Sequence, residues 1–158
     1  MRQNERRKLP MDKTDAALRL DNQICFAIYA TAHAFNKAYK PLLEPLGLTY
    51  PQYLVMMALW EQDELRVKDI GQRLNLNSGT LSPLLKRLEK AGFIERLRGN
   101  KDERQVHVQL TSIGRHLETK AQSIMPEIVR LTGCEIGELG TLKKALYGLK
   151  ASLNRHSE

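Results

Sequence analysis

Cysteine is scarce: only Cys25 and Cys134 occur in 158 residues, far apart and without any Cys/His spacing suited to zinc. Two such residues make no disulfide framework, which leaves them as reactive or inert thiols. Long apolar runs are missing as well. None approaches the roughly twenty residues needed to span a bilayer, and the polar amino end lacks the hydrophobic core of a secretory signal. The expectation is a cytoplasmic protein with no membrane partner. Internal repeats and low-complexity segments are also absent, so the length fits one domain with room for a dimerisation layer. The residue pattern calls for no cofactor and no metal.

Acid is thin in one place. Between Arg66 and Thr111 stand ten Lys/Arg against five acids, and in the first thirteen residues five against two, although the whole chain carries only +7. Positive charge is therefore confined to one internal segment and to the amino-terminal tail. Confinement of this kind argues for nucleic acid.

The internal segment reads as helix, tight turn, helix, strand, charged loop, strand. In VKDIGQRL, Val67, Ile70 and Leu74 recur at helical spacing and leave Lys68, Asp69, Gln72 and Arg73 to solvent. After the turn NLN, Asn77 or Ser78 caps a second helix, SGTLSPLLKRLEKAG, whose Leu81, Leu84, Leu85 and Leu88 form one buried stripe. Ser78, Thr80, Ser82, Lys86 and Arg87 lie opposite. Hydroxyls at a helix start followed by cations suit entry into a major groove, where Ser and Thr donate to phosphates or base edges and Lys and Arg neutralise the backbone. Pro83 is expected to loosen the helix start, and Gly92 to close the helix.

QVHVQL then alternates Val106, Val108 and Leu110 with polar residues, a half-buried strand, and FIERLR is its less regular partner. The hairpin tip GNKDER joins them, placing Arg104 to enter an adjacent minor groove. The candidate DNA contacts are Ser78, Thr80, Ser82, Pro83, Lys86 and Arg87 on the helix and Arg98, Lys101, Asp102 and Arg104 on the wing. Taken singly, these features also describe an amphipathic surface helix and a solvated turn. Together they specify a mostly α fold with a small β wing, a winged helix-turn-helix at about 50–111.

The flanks complete the expected organisation. Residues 1–19 read as a flexible basic tail, and 20–158 as a single domain. A helix from about Leu20 to Ala38 carries Leu20, Ile24, Ala27, Ile28, Thr31 and Phe35 on one face, with Cys25 and Tyr29 as i, i+4 neighbours, and Pro41 ends it. Thr49 and Gln52 form a capping box for a helix to about Glu61 that buries Leu54, Val55, Ala58 and Leu59. Thr111 caps a long helix through Leu131, bent at Pro126 and ended by Gly133; a last helix runs from about Ile136 to Leu153. The apolar faces at about 20–46 and 112–154 exceed what a small winged core covers. They are expected to form a homodimer, which would set two reading helices on the half-sites of a pseudo-palindromic duplex.

The stretch NLNSGTLSPLLKRLEKAGFIERLRGNKDERQVHVQLTSIG resembles the reading head of the MarR family of bacterial repressors. DNQICFAIYA, KAYKPLL and GLTYPQYLVMMALWE resemble the organic hydroperoxide regulators within it, the OhrR branch. The resemblance covers about Leu20 to the C-terminus. It implies a repressor that releases its operator when organic hydroperoxides oxidise a cysteine in the first helix, here Cys25. It also implies that tyrosines matching Tyr39 and Tyr50, contributed by the partner subunit, donate hydrogen bonds to that sulfur. Tyr29 joins them as a candidate thiolate stabiliser. A cysteine between the two C-terminal helices marks the two-cysteine type, which closes an intersubunit disulfide, and Cys134 stands there. Arg66 departs from the pattern, because relatives often carry a capping Thr at that position.

The chemistry has its own logic. A thiolate is the nucleophile, and a thiol of pKa about 8.5 is only a few per cent ionised at neutral pH; lowering that value below 6 raises the reactive fraction roughly thirtyfold. No Lys, Arg or His is close to Cys25 in sequence, so phenolic donors are the available stabilisers, and they keep the pocket apolar. Three competing readings stand beside the sensor. One is a MarR-type repressor released by a small aromatic or lipophilic ligand, with incidental cysteines. The second is a thiol peroxidase, which leaves the basic reading head unexplained, so a regulator and not an enzyme is expected. Nucleoid architecture is the third, disfavoured by a helix that offers side chains for base contacts.

Overall fold

The computed structural model of the protein describes residues 18–98 and 105–155, so most of the expected basic tail and the whole GNKDER tip lie outside the described residues. The chain divides into two compact units, Met1–Lys37 and Ala38–Glu158. In the first, a 3-10 turn at Leu20–Asn22 precedes α1, Ile24–Leu43, in which the unit boundary falls. Ile24, Ile28, Tyr29 and Phe35 are all exposed. The expected stop at Pro41 is wrong. Pro41 sits inside the last turn of α1, because the helix loses only one N–H bond there while Leu43, two residues later, becomes fully buried in the core.

The second unit begins its folding logic at Thr49. Gln52 Oε1 accepts from Thr49 N at 2.8 Å and from Thr49 Oγ1 at 3.0 Å, which starts α2, Tyr50–Glu61. This helix is buried around most of its girth. Val55, Met56, Ala58, Leu59, Tyr53 and Gln52 are all buried, whereas Leu54, expected in the core, is only half-buried. A two-residue strand β1, Leu65–Arg66, follows, too short for any alternation to show in the sequence. Next come α3, Val67–Leu74, and α4, Ser78–Lys90. Asn75 turns between them in the left-handed region at φ 56°, and a Cβ on Gly71 would stand 2.9 Å from the Leu76 carbonyl oxygen. The tight turn therefore needs glycine where the two helices close. Despite Pro83, α4 is continuous from Ser78.

Strands β2, Ile94–Arg98, and β3, Val106–Leu110, pair antiparallel with Arg96 opposite Val108 and Ile94 opposite Leu110. Strand β1 joins the other edge of β3, giving the order β1-β3-β2. Thr111 then does two jobs. Its Oγ1 accepts from Gly114 N at 3.0 Å to cap α5, Ser112–Ala121, and donates to the Gly92 carbonyl at 2.6 Å. The single long helix expected next is in fact two, α5 and α6, Ile124–Thr132, broken at Gln122–Ser123. Pro126 explains the place: its ring conflicts with the carbonyl four residues earlier, that of Gln122, and its missing N–H leaves that carbonyl without a helical partner. The result is a break upstream of the proline instead of a bend at it.

Gly133, at φ 67°, ends α6, and α7 runs from Ile136 to Arg155. Among the described residues one core of twenty buried hydrophobics unites the end of α1, α2 to α6 and the sheet, with Leu43, Leu59, Ile70, Leu88 and Val108 fully enclosed. Helix α7 contributes none of them.

Candidate functional site

The reading helix is presented by its own buried stripe. Leu81, Leu85 and Leu88 are at most 1% exposed and Leu84 is half-buried, which turns Ser78, Thr80, Pro83, Lys86 and Arg87 outward and leaves Ser82 half-buried. Asn77 supplies the cap, its Oδ1 accepting from Thr80 N at 2.9 Å. One expected contact helix is thus assembled with its hydroxyl-bearing turn at the exposed N-terminal end. At its other end, Glu89 Oε2 accepts from Arg96 Nε at 2.9 Å and from Arg96 Nη2 at 2.5 Å, fastening α4 to β2 at the root of the wing. Of the wing residues expected to touch DNA, Lys101, Asp102 and Arg104 lie outside the described residues, and of Arg98 only the backbone is described, as the end of β2.

Arg66 occupies the N-cap position of α3 and offers no side-chain acceptor there. Instead its Nε and Nη2 donate to the two oxygens of Asp69, at 2.7 and 3.0 Å. That bond holds the Asp69 carboxyl below the usual carboxylate range.

The thiol residues fall in both units. Cys25 is exposed on α1 in the first unit, where Tyr29, also exposed, makes an edge contact with His33 at 4.4 Å between ring centroids and stacks on Phe26 at 6.4 Å. Cys134 is exposed in the turn between α6 and α7, its N donating to Thr132 Oγ1 at 3.2 Å. Tyr39 and Tyr50, both in the second unit, are brought together with ring centroids 4.5 Å apart. Tyr53 lies 6.0 Å from Tyr39, and Trp60 6.0 Å from Tyr53. Sequence reading passed over Tyr53 and Trp60. The signal was present, since Tyr50, Tyr53 and Trp60 recur at i, i+3 and i+10 along one helix.

Burial pushes the Tyr39 phenol up to about 12, helped by Tyr50 and Tyr53, and raises Tyr50 and Tyr53 above the ordinary phenol value for the same reason. All three therefore keep their protons near neutrality and are competent O–H donors. A stability effect follows. The unfolded Tyr39 ionises near 10 and the folded one near 12, so its contribution is fully present below pH 10 and drains away as pH climbs to 12. Urea titrations across that window should show stability falling with pH, and Tyr39→Phe should flatten the decline. An equal slope in the variant would refute this.

Among the described residues no group of His, Cys, Asp and Glu is placed to hold a metal, and no helix is long and apolar enough to cross a membrane.

Comparison with known proteins adds the following. The family profile described as transcriptional regulator SarA/Rot matches residues 37–121. The chain is 47% identical over 150 residues to the HTH-type transcriptional regulator TtmR of Methylorubrum extorquens (strain PA1), spanning 94% of this chain and 77% of that protein. It is 46% identical over 138 residues to the organic hydroperoxide resistance transcriptional regulator of Bacillus subtilis (strain 168), spanning 87% and 94%. Among solved structures, reduced AbfR bound to DNA matches with a TM-score of 0.76 at 34% identity, over 92% of this chain and 99% of that one. Disulfide-formed AbfR matches with a TM-score of 0.59 at 35% identity, over 86% and 96%. AbfR is a protein of Staphylococcus epidermidis.

Proposed function

We propose, from the premise that this chain belongs to the MarR-type transcriptional regulators of the OhrR and SarA/Rot kind, that it senses organic hydroperoxides through Cys25 and releases its operator when that thiol is oxidised. DNA binding and transcriptional regulation come with the family, which is not one of enzymes. The observation that carries the sensing step is the Tyr39–Tyr50 pair: two phenols in ring contact, held protonated by burial. A neutral donor pair stabilises a thiolate without attracting water or anions, and so favours alkyl peroxides over hydrogen peroxide.

In the homodimer the pair of one subunit serves the thiol of the other. The Cys25 thiolate attacks one peroxide oxygen; an S–O bond forms, the O–O bond breaks, and the alkoxide leaves as alcohol after taking a proton. Sulfur loses two electrons and becomes a sulfenic acid. The Cys134 thiol of the other subunit then attacks that sulfur, forming S–S and releasing water. Bridging needs Cα atoms within about 7 Å, so closure of the disulfide pulls on α1 and on the α6–α7 turn and changes the spacing of the two reading heads. Exposed apolar side chains along α1 and, separately, along α7 supply surface for the second copy.

A gel shift with a duplex selected by the protein tests this reading. Wild type should release DNA on addition of an alkyl hydroperoxide. Cys25→Ser should stay bound at every dose, and Cys134→Ser should still oxidise but release less completely or stall as over-oxidised thiol. If Cys25→Ser still lets go, the thiol is incidental and a bound small ligand controls the protein.

A further inference from the structure

Beside the reading helix the fold builds a second feature that the sequence did not announce. A cleft of about 510 Å³ opens where the N-terminus of α3, the middle of α4 and the root of the wing converge. Arg66, Lys68, Ser82, Arg96 and Gln105 supply its polar lining, and Val67, Leu85 and Val106 its apolar floor. Among the described residues no carboxylate lines it. Three cations and two neutral polar groups around a carboxylate-free hollow describe a seat for an anion.

The arginines are already set. Arg66 comes from β1 and Arg96 from β2, the two strands flanking β3, and both line the cleft. Asp69 takes two N–H groups of Arg66, and Glu89 two of Arg96. Each guanidinium has five. The carboxylates thus orient both forks and leave three N–H groups apiece for a further acceptor, with little rotamer entropy left to lose on binding. Lys68 adds an ammonium, and Ser82 brings a hydroxyl from the reading helix itself. An anion lodged here would lie against the element that enters the duplex.

We propose that this cleft seats a backbone phosphate of the bound DNA, gripped by Arg66 and Arg96 from the two sides of the sheet. The root of the wing, and not only its tip, then fixes the register of the reading helix. The chemistry suits a phosphodiester: three cations converge with a hydroxyl and an amide, matching the charge and the several acceptor oxygens of one phosphate. Arg66 gains a purpose from this. It gives up side-chain capping of α3 and supplies a phosphate fork in its place.

The assignment rests on the DNA-binding reading, and the test separates the two. Fluorescence anisotropy would follow wild type, Arg66→Ala, Arg96→Ala and the double variant on a selected duplex and on an unrelated one, across a salt series. Each substitution should weaken both duplexes by the same factor; the double variant, which gives up one phosphate in each half of the dimer, should make the log–log salt slope shallower by about 1.8, at about 0.9 per phosphate, and each single variant by part of that. Arg66→Lys and Arg96→Lys, which keep charge and lose the fork, should keep the slope and still weaken binding; they serve if an alanine variant fails to fold. Unchanged slopes beside normal wild-type binding would overturn the cleft assignment, as would a loss confined to the selected duplex. Inorganic phosphate that raises the melting temperature of wild type but not of the double variant, while slopes stay equal, would give the cleft to a free anion instead. A wild type that binds neither duplex would remove the DNA reading and this one with it.

Discussion

Gly114→Ala should destabilise the protein by about 3 kcal/mol or more, at the upper end of what overpacking costs. A Cβ at that position would stand 2.0 Å from the Phe93 carbonyl oxygen and 3.0 Å from its carbonyl carbon. Both are backbone atoms, and neither yields by a rotamer change. The same oxygen already accepts from Thr111 N at 3.1 Å, and Thr111 bonds both Gly92 and Gly114, so the strand start and the helix start are tied at several points. Relief requires α5 to lift off β2. Urea unfolding should show a lower midpoint with an unchanged slope, while Gly137→Ala, with no atom within 4 Å of its Cβ, should be neutral or slightly stabilising. Equal midpoints for the two variants would contradict the packing described.

The second large effect concerns α7. Among the described residues none of the twenty in α7 is buried, and Leu142, Leu146, Leu149 and Leu153 follow one another at helical spacing and are 38–60% exposed. An isolated helix of this length is marginal in water, and an apolar stripe left wet is a surface awaiting cover. A second copy is the occupant the proposed function requires. Leu142→Lys with Leu146→Lys should convert a dimer into a monomer in sedimentation. It should also weaken operator binding by on the order of a hundredfold, because one reading head no longer holds the other at its half-site. A variant that sediments and binds like wild type would remove the assignment of α7 to the interface.

Local periodicity made the reading head legible. Helix α3 matches VKDIGQRL residue for residue, Asn77 caps as its chemistry predicts, and the alternation of Val106, Val108 and Leu110 marks β3. Errors came where tertiary contacts outvote local preference. Leu43 draws α1 past Pro41, and Pro126 breaks a helix at a point set by its reach back to Gln122. Strand β1 shows no alternation in two residues, and only its pairing with β3 defines it. Arg66 and Arg96 are thirty positions apart, and nothing local says that one sheet will bring them to one cleft. The Tyr39–Tyr50 contact spans two helices joined by a short turn, so no local pattern in the sequence announces that the two rings meet.

Trp60 is the chain's single tryptophan. Its indole N–H donates to the Gly114 carbonyl at 3.0 Å, and its ring meets Tyr53, which in turn faces Tyr39. One fluorophore therefore stands where the tyrosine cluster meets the first turn of α5. Its emission, read without any label, would report the integrity of that packing directly, with a red shift marking water reaching the indole.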